Sequence, residues 1–506
     1  MRACEVDWHP YNTSMSALPI NIHSVAQVRE LDAAAMQALD ISAYALMQRA
    51  GDAAFSALRA GWPMATRIVV ICDSGNNAGD GYVLATLARA ARMDVKVIAL
   101  GEPAELKGAA LQAWQGFSSA GGTVQQWNVD VLEQAEVIVD AIFGTGLSRP
   151  LSAALQLQIQ EINDCGRPVL ALDVPSGLNA DTGAVMGAAV EAHRTITFVG
   201  LKQGFYLGEG PNYIGHLLFD DLDIPLAVSN RIDRVAQRLD SQTVQHALPR
   251  RSRTTHKGQQ GRVLIVGSGS GMPGAVRLSG EACLRVGAGL VTVATRPEYI
   301  AALAAGRPEL ICSGIQSAAD LVPMIEHADV IAIGPGLGKD TWAQSLFDVV
   351  IASKKPLIID ADALNLLALH PVRRDNWILT PHPGEAARLL ATTTQAIQAS
   401  RMDSVCAIGQ RYGGVVVLKG AGSLVWDGES SPGICDRGNP GMAAPGMGDV
   451  LTGIIAGIAA QCGDLSMAAR AGVYVHAVAG DMSARHGERG MLASDLFAHL
   501  SSCINP

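Results

Sequence analysis

Two α/β domains, each a mostly parallel β-sheet covered by helices, are what this chain predicts, and three observations predict them. Short β-branched runs alternate with longer amphipathic stretches, the pattern of strand–helix–strand units. The 54 glycines, with 49% hydrophobic and 17% charged residues, fit a globular chain with many tight strand-to-helix turns. At 506 residues the chain is too long for one core, and a polar, arginine-rich stretch from Ser229 to His256 separates two halves.

In the first half the expected strands are Arg67–Cys72, Val95–Leu100, Val137–Ala141, Val169–Asp173 and Thr195–Val199. In the second they are Arg262–Val266, Leu290–Ala294, Val330–Ile333, Leu357–Asp360, Trp377–Leu379 and Val415–Leu418. The expected division is a first domain over 15–228, a linker over 229–250 and a second domain over 251–506. The halves share no detectable repeat, so duplication is not expected.

A net charge of −9 argues against sequence-independent nucleic-acid binding, which needs a basic face. Nine cysteines without CxxC spacing read as thiols of a reducing compartment, not as a disulfide frame or zinc site. No run reaches ~18 apolar residues, so no membrane span is expected. The first 20 residues resemble neither a signal nor a transit peptide, and Met15 is an alternative start. A cytoplasmic homo-oligomer is the expectation.

The densest chemistry lies between Gly438 and Val450, where a glycine-rich loop ends on one carboxylate, Asp449, and runs into the apolar segment Leu451 to Ala460. The N–H groups of Gly446, Met447 and Gly448 would converge at a helix N-terminus, where unpaired donors and the helix dipole favour an anion. A carboxylate there repels the anion. Asp449 is therefore suited to take a proton from a hydroxyl about to attack a phosphoryl group. An ordinary first-turn aspartate is the plainer alternative.

Ligands of open parallel sheets sit at the carboxyl ends of strands. Three polar clusters occupy such ends in the first half: Asp73 to Gly81, Asp140 with Phe143 to Gly146, and Asp173 with Val174 to Asn179. Their glycines let a backbone approach a pyrophosphate or ribose, and their Asn and Asp side chains offer acceptors to a cation or sugar hydroxyls. Lys202 follows another strand and can meet the same crevice, as an acid–base group or as a surface lysine. Asp173, flanked by Leu172 and Val174, has the better claim to proton chemistry, against a structural cap.

In the second half a formal G-x-G-x-x-G match runs from Gly269 to Gly274, but the following strand ends without a ribose-binding acid and Pro273 removes a donor. The loop is assigned to substrate contact near Ala275. Gly334 to Gly338, Asp360 to Asn365 and Thr380 to Glu385 also follow strands and can face one crevice. Lys419, Gly420, Ala421, Gly422 and Ser423 suit a nucleotide phosphate or adenosine edge, or else form a hairpin turn; no full Walker pattern is present.

These motifs carry a resemblance over nearly the whole chain. Gly75 to Gly81, Asp140 to Gly146 and Asp173 to Asn179 resemble the NAD(P)H-hydrate epimerase domain, which implies a Rossmann-like parallel sheet. Ile333 to Gly338, Asp360 to Asn365, Thr380 to Glu385 and the Gly448-Asp449 loop resemble the ADP-dependent NAD(P)H-hydrate dehydratase, which implies a ribokinase-like fold. Their fusion is similar to the bacterial bifunctional repair enzymes.

The resemblance implies metabolite repair of NADH or NADPH hydrated at C6 of the nicotinamide ring, by an isomerase joined to a lyase. In the first domain it implies hydrate contacts at Gly75, Asn76, Asn77, Ala78 and Gly79, at Gly144, Thr145, Gly146, Leu147, Ser148, Arg149 and Pro150, and at Asp173. It also implies potassium at Asn76, Asp140 and Ser176. In the second it implies hydrate contacts at Ala275, Gly338, His382 and Asp449, nucleotide contacts at Lys419 to Ser423 and Gly448, and magnesium arriving with ADP. One departure stands out: the family usually has a Thr/Ser-Gly pair where this chain has Ala444-Pro445, removing a hydroxyl and a backbone donor. A small-molecule kinase acting on a vitamin-type alcohol, with a non-catalytic N-terminal binding module, is the rival reading.

Overall fold

The computed structural model describes residues 18–505, so Met15 and most of the N-terminal segment discussed above lie outside the described residues. The chain divides into two compact units between Val235 and Ala236. No helix among the described residues is long and apolar enough to cross a membrane.

Strands of the first unit are β1 (Asn21–His23), β2 (Arg67–Cys72), β3 (Asp94–Ala99), β4 (Val124–Gln125), β5 (Val137–Ala141), β6 (Val169–Leu172), β7 (Arg194–Phe198), β8 (Leu201–Lys202) and β9 (His216–Asp220). The main sheet has the order β4-β3-β2-β5-β6-β7-β9, and every pairing in it is parallel. Outside this main sheet β1 and β8 pair in parallel, with His23 opposite Lys202. Because β2 after Arg67 and β5 are buried on both faces, they read as apolar runs, broken only by Asp140, rather than as alternating ones. Chain order reverses between β2 and β5, and their carboxyl ends open a crevice there.

The second unit contains β10 (Ala236–Arg238), β11 (Arg262–Val266), β12 (Leu290–Thr295), β13 (Ile311–Gly314), β14 (Val330–Ile333), β15 (Leu357–Ile359), β16 (Trp377–Leu379), β17 (Val415–Leu418), β18 (Ser423–Trp426) and β19 (Gly433–Cys435). Its strands run in the order β13-β12-β11-β14-β15-β16-β17-β18-β19-β10, antiparallel only around β18. Within the polar stretch read as a linker, β10 pairs with β19 and Ser241–Ala247 is helical, so residues 236–247 are structured. The switch point lies between β11 and β14.

Helix Met447–Cys462 is apolar almost all round because it is buried almost all round. It crosses helix Pro273–Arg285 at very short range: a Cβ on Gly453 would stand 2.0 Å from Ser279 O, so only glycine permits the approach. Burial of Ile454, Ile455 and Ile458 on this helix, at roughly 1.5–3 kcal/mol each, fixes its depth. Its N-terminus is thereby held at the carboxyl end of the sheet.

Candidate functional site

At the switch point of the first sheet lies a cavity of about 870 Å³. Gly75, Asn76, Asn77, the whole of Gly144 to Pro150, Asp173 and Lys202 line it. Ala78 and Gly79 do not, because helix Asn76–Ala90 has already begun and that side of its first turn faces the core: a Cβ on Gly79 would meet Met47 Sδ at 2.4 Å.

β6 and β7 both end in three-residue turns of positive φ. Val174 N donates to Leu172 O at 2.7 Å around Asp173 (φ 62°), and Gly200 N to Phe198 O at 2.6 Å around Val199 (φ 65°). Left-handed backbone at a β-branched valine costs about 1–3 kcal/mol, and such strain gathers at working sites. The second turn swings Lys202 back across the sheet. Its Nζ donates to Asp173 Oδ1 at 2.5 Å, to Thr197 Oγ1 at 2.7 Å and to Phe198 O at 3.0 Å. Asp173 Oδ2 accepts from Thr145 N at 3.3 Å.

Two further carboxylates line this cavity: Asp80, inside the Asp73 to Gly81 cluster that the sequence singles out but without a role of its own there, and Asp32, which sequence reasoning missed. Burial, with Asp173 and Asp32 nearby, pushes Asp80 well above the usual carboxylate range. Burial likewise pushes Asp32 up to about 6, with Lys202 opposing. No local signal announces Asp32, which arrives on helix Val25–Leu39 through packing.

Asp140 is fully buried at the end of β5 and accepts from Ser176 N at 2.8 Å, Ser176 Oγ at 2.6 Å and Ile142 N at 3.2 Å. Burial pushes it up to about 6, and these bonds pull the other way. No cationic side chain forms an ion pair with it among the described residues. Asn76 is exposed, whereas Asn77 is buried with neither amide atom partnered. Its Cγ lies 3.5 Å from where a Cβ on Gly144 would be.

In the second unit the loops after β11 and β14 bind each other. Ser268 N donates to Pro335 O at 2.9 Å and Gly269 N to Gly336 O at 2.7 Å, so the formal dinucleotide fingerprint spends amides internally. Gly336 abuts Ala275, and Gly338 N donates to Asp362 Oδ2 at 2.9 Å. Ser279 Oγ bridges Ala275 O at 3.2 Å and Asp449 O at 2.8 Å, tying these loops to the start of helix Met447–Cys462.

That helix begins at Gly446 (φ 88°), and among the described residues the N–H groups of Gly446, Met447 and Gly448 have no backbone acceptor. Beneath them Asp360 accepts from Lys419 Nζ at 2.7 Å, Thr380 Oγ1 at 2.8 Å and Thr452 Oγ1 at 2.8 Å. Lys419 Nζ also stands 3.4 Å from a Cβ built on Gly448 and 3.8 Å from Glu385 Oε2. Burial opposes its charge, but Asp360 and Glu385 prevail and raise its pKa. Burial pushes Asp449 up to about 7, with Asp360 adding and Lys419 opposing.

His382 caps helix Pro383–Leu390: its Nδ1 accepts from Gly384 N at 3.0 Å and Glu385 N at 3.3 Å, while Nε2 faces Glu385 Oε1 at 3.4 Å. Burial, then Lys419, lowers its pKa, so a neutral ring with Nε2–H toward Glu385 is favoured. Residues 419–422 are a hairpin turn between β17 and β18, with Gly420 and Ala421 exposed at its tip.

Comparison with known proteins adds a family to this geometry. Residues 263–502 match the family described as NAD(P)H-hydrate dehydratase, and residues 43–204 the YjeF-related protein N-terminus. The bifunctional NAD(P)H-hydrate repair enzyme of Coxiella burnetii is 47% identical over 95% of this chain and 98% of its own. That of Escherichia coli is 42% identical over 98% of this chain and 96% of its own. Among solved structures, a ribokinase-like superfamily protein from Enterococcus faecalis aligns with TM-score 0.50 and 31% identity, covering 53% of this chain and 95% of that one.

Proposed function

The chain belongs to the family of bifunctional NAD(P)H-hydrate repair enzymes, and from that premise we propose how its residues divide the work. It is an isomerase and lyase in one polypeptide: a Rossmann-like first domain interconverts the R and S hydrates, and a ribokinase-like second domain dehydrates the S hydrate. The family match over 263–502 favours this over a vitamin-alcohol kinase.

In the first domain the hydrate carbon C6 carries both a hydroxyl and the ring nitrogen, so inversion needs a C6 bond to break and re-form while a proton moves out and back. The pair Asp173–Lys202, at 2.5 Å in the cavity wall, can hold and return that proton. Gly75 to Asn77 and Gly144 to Pro150 bind the dinucleotide. A potassium ion, when bound, would neutralise a buried carboxylate and orient the hydrate. Asp140 and Ser176 fit it, being hard oxygen donors without a cationic partner; Asn77, buried and unpartnered, suits the third place better than exposed Asn76.

In the second domain hydroxide is a poor leaving group, so the C6 hydroxyl is first phosphorylated. Asp449 takes the hydroxyl proton, the oxygen bonds to the β-phosphorus of ADP, and the P–O bond to AMP breaks. Amides of Gly446 to Gly448, with Lys419 beneath, take up the phosphoryl charge. The ring nitrogen's lone pair then expels phosphate from C6, and loss of a C5 proton restores the double bond. Ala275, Gly338 and His382 hold the hydrate, and Lys419 to Ser423 hold the nucleotide. Magnesium would arrive on the phosphates of ADP.

The observation that carries this reading is Asp449 at the lip of the free amides, its carboxyl raised to about 7. Incubation with mixed R and S hydrates plus ADP, followed by nicotinamide absorbance, tests it. Full recovery is expected for the parent and none for Asp449→Asn; undiminished recovery in that variant sinks the assignment. We also infer a cytoplasmic setting and a homo-oligomer, the second of which sedimentation of the purified protein checks.

A further inference from the structure

Arg401 is a buried cation with no carboxylate partner. It is 4% exposed, it forms no ion pair among the described residues, and burial pushes its pKa down to about 10. The guanidinium is spent on neutral oxygens. Nη1 donates to Gln398 Oε1 at 2.8 Å; Nη2 donates to Leu418 O at 3.2 Å and Gly422 O at 3.3 Å, and both reach Lys419 O at 3.4 Å. Three of these four oxygens are carbonyls at the two ends of the 419–422 turn. An unpaired buried charge is costly, and its retention makes sense where an anion arrives beside it.

Across a trans peptide the carbonyl and the next N–H point in opposite directions. Holding Lys419 O inward therefore turns Gly420 N–H outward. The turn lies directly on the guanidinium: a Cβ on Gly420 (φ 133°) would stand 3.1 Å from Arg401 Nη1. Among the described residues, the N–H groups of Gly420, Ala421 and Gly422 have no backbone acceptor.

We propose that Arg401 is a positioning residue for the nucleotide: it gathers the carbonyls of the 419–422 turn on its own side, so that the turn's amides face the phosphates of ADP with an uncompensated positive charge behind them. This rests on the reading of Lys419 to Ser423 as the nucleotide site.

The test uses the full-length enzyme, with dehydration rates measured against ADP and against hydrate. Arg401→Met should raise KM for ADP at least tenfold while kcat at saturating ADP and KM for hydrate stay within threefold. Arg401→Lys should fall between. A folded Arg401→Met with unchanged KM for ADP, or with a loss confined to kcat, overturns the proposal. Should that variant not fold, Arg401→Lys decides, and an unchanged KM for ADP sinks the idea. Calorimetric titration of Gly420→Val with ADP separates the two readings. Undiminished binding removes the nucleotide site and the proposal with it; weakened binding beside an indifferent Arg401→Met removes the positioning role alone.

Discussion

Lys419 Nζ stands 2.7 Å from Asp360 Oδ1, directly under Gly448, so the proposed anion hole is underlain by a cation whose charge is already balanced when no substrate is present. The pair is nearly dry, with side-chain exposures of 17% and 2%. Removing one partner strands the other. Asp360→Asn should cost about 3–5 kcal/mol of stability and lower dehydration turnover at least tenfold, read by denaturant unfolding and single-turnover rates. Replacing both, as Asp360→Leu with Lys419→Met, should restore much of the stability and none of the turnover. Recovery of turnover in the double variant would show that the pair only packs.

Asp449 predicts a pH profile. A base must be ionised, so with its carboxyl near 7 the dehydration rate should fall about tenfold per unit below that pH and level off above it. Stability runs the other way. The folded pKa lies above the usual 3.8, so between those values the folded state holds a proton that the unfolded chain has released, and stability falls as pH rises through the window. Asp449→Asn should therefore be inactive yet more stable than the parent by about 2–4 kcal/mol at pH 8, with the gap closing near pH 4. Parallel thermal scans at the two pH values decide it.

The buried strands were legible because each is buried on both faces and almost wholly apolar, Asp140 of β5 being the polar exception. β2, β5, β11, β14, β16 and β17 begin and end where their β-branched runs do. Edge strands were not. β4 is two exposed residues, and β13 alternates polarity too weakly to stand out from a loop. The same division governs the sites. Glycine-rich loops at strand ends announce themselves, whereas Asp32 reaches the cavity only through the packing of its helix. Which of Asn76 and Asn77 turns inward depends on where a helix starts, a register that spacing alone does not fix. Lys419 to Gly422 proved to be a hairpin turn, which does not disqualify it as a ligand loop, since its carbonyls are gathered by Arg401, a residue 18 positions from Lys419 in sequence.

Lys202 predicts a separable loss. Lys202→Met leaves Asp173 Oδ1 and Thr197 Oγ1 without their shared donor, and the epimerisation rate should drop by at least about 10²-fold, the usual scale of a lost acid–base group. Dehydration of pure S hydrate should be unchanged. Given the mixed hydrates and ADP, the variant should stop once the S form is consumed and creep onward only at the spontaneous rate of exchange. Asp173→Asn should behave alike. A variant that consumes both forms at the parental rate removes the role given to the group it lacks, and a parental rate no faster than spontaneous exchange would show that the first domain binds without catalysing.

Pro445 tests how much of the anion hole this chain has forgone. It sits immediately before Gly446, the N-cap of helix Met447–Cys462. Proline offers no N–H there, so the hole depends on Gly446, Met447 and Gly448. Pro445→Ala would restore a donor, and one more hydrogen bond to a charged oxygen, at about 1.5–3 kcal/mol, should raise the single-turnover dehydration rate roughly ten- to hundredfold. Pro445→Gly should give the same gain but lower stability by about 0.4–1 kcal/mol, because the unfolded chain recovers freedom that proline denies it. Ala444→Thr adds a hydroxyl without touching the backbone. A response to Pro445→Ala but not to Ala444→Thr would assign the deficit to the missing amide, and no response to either would mean that three amides and Lys419 already saturate the phosphoryl charge.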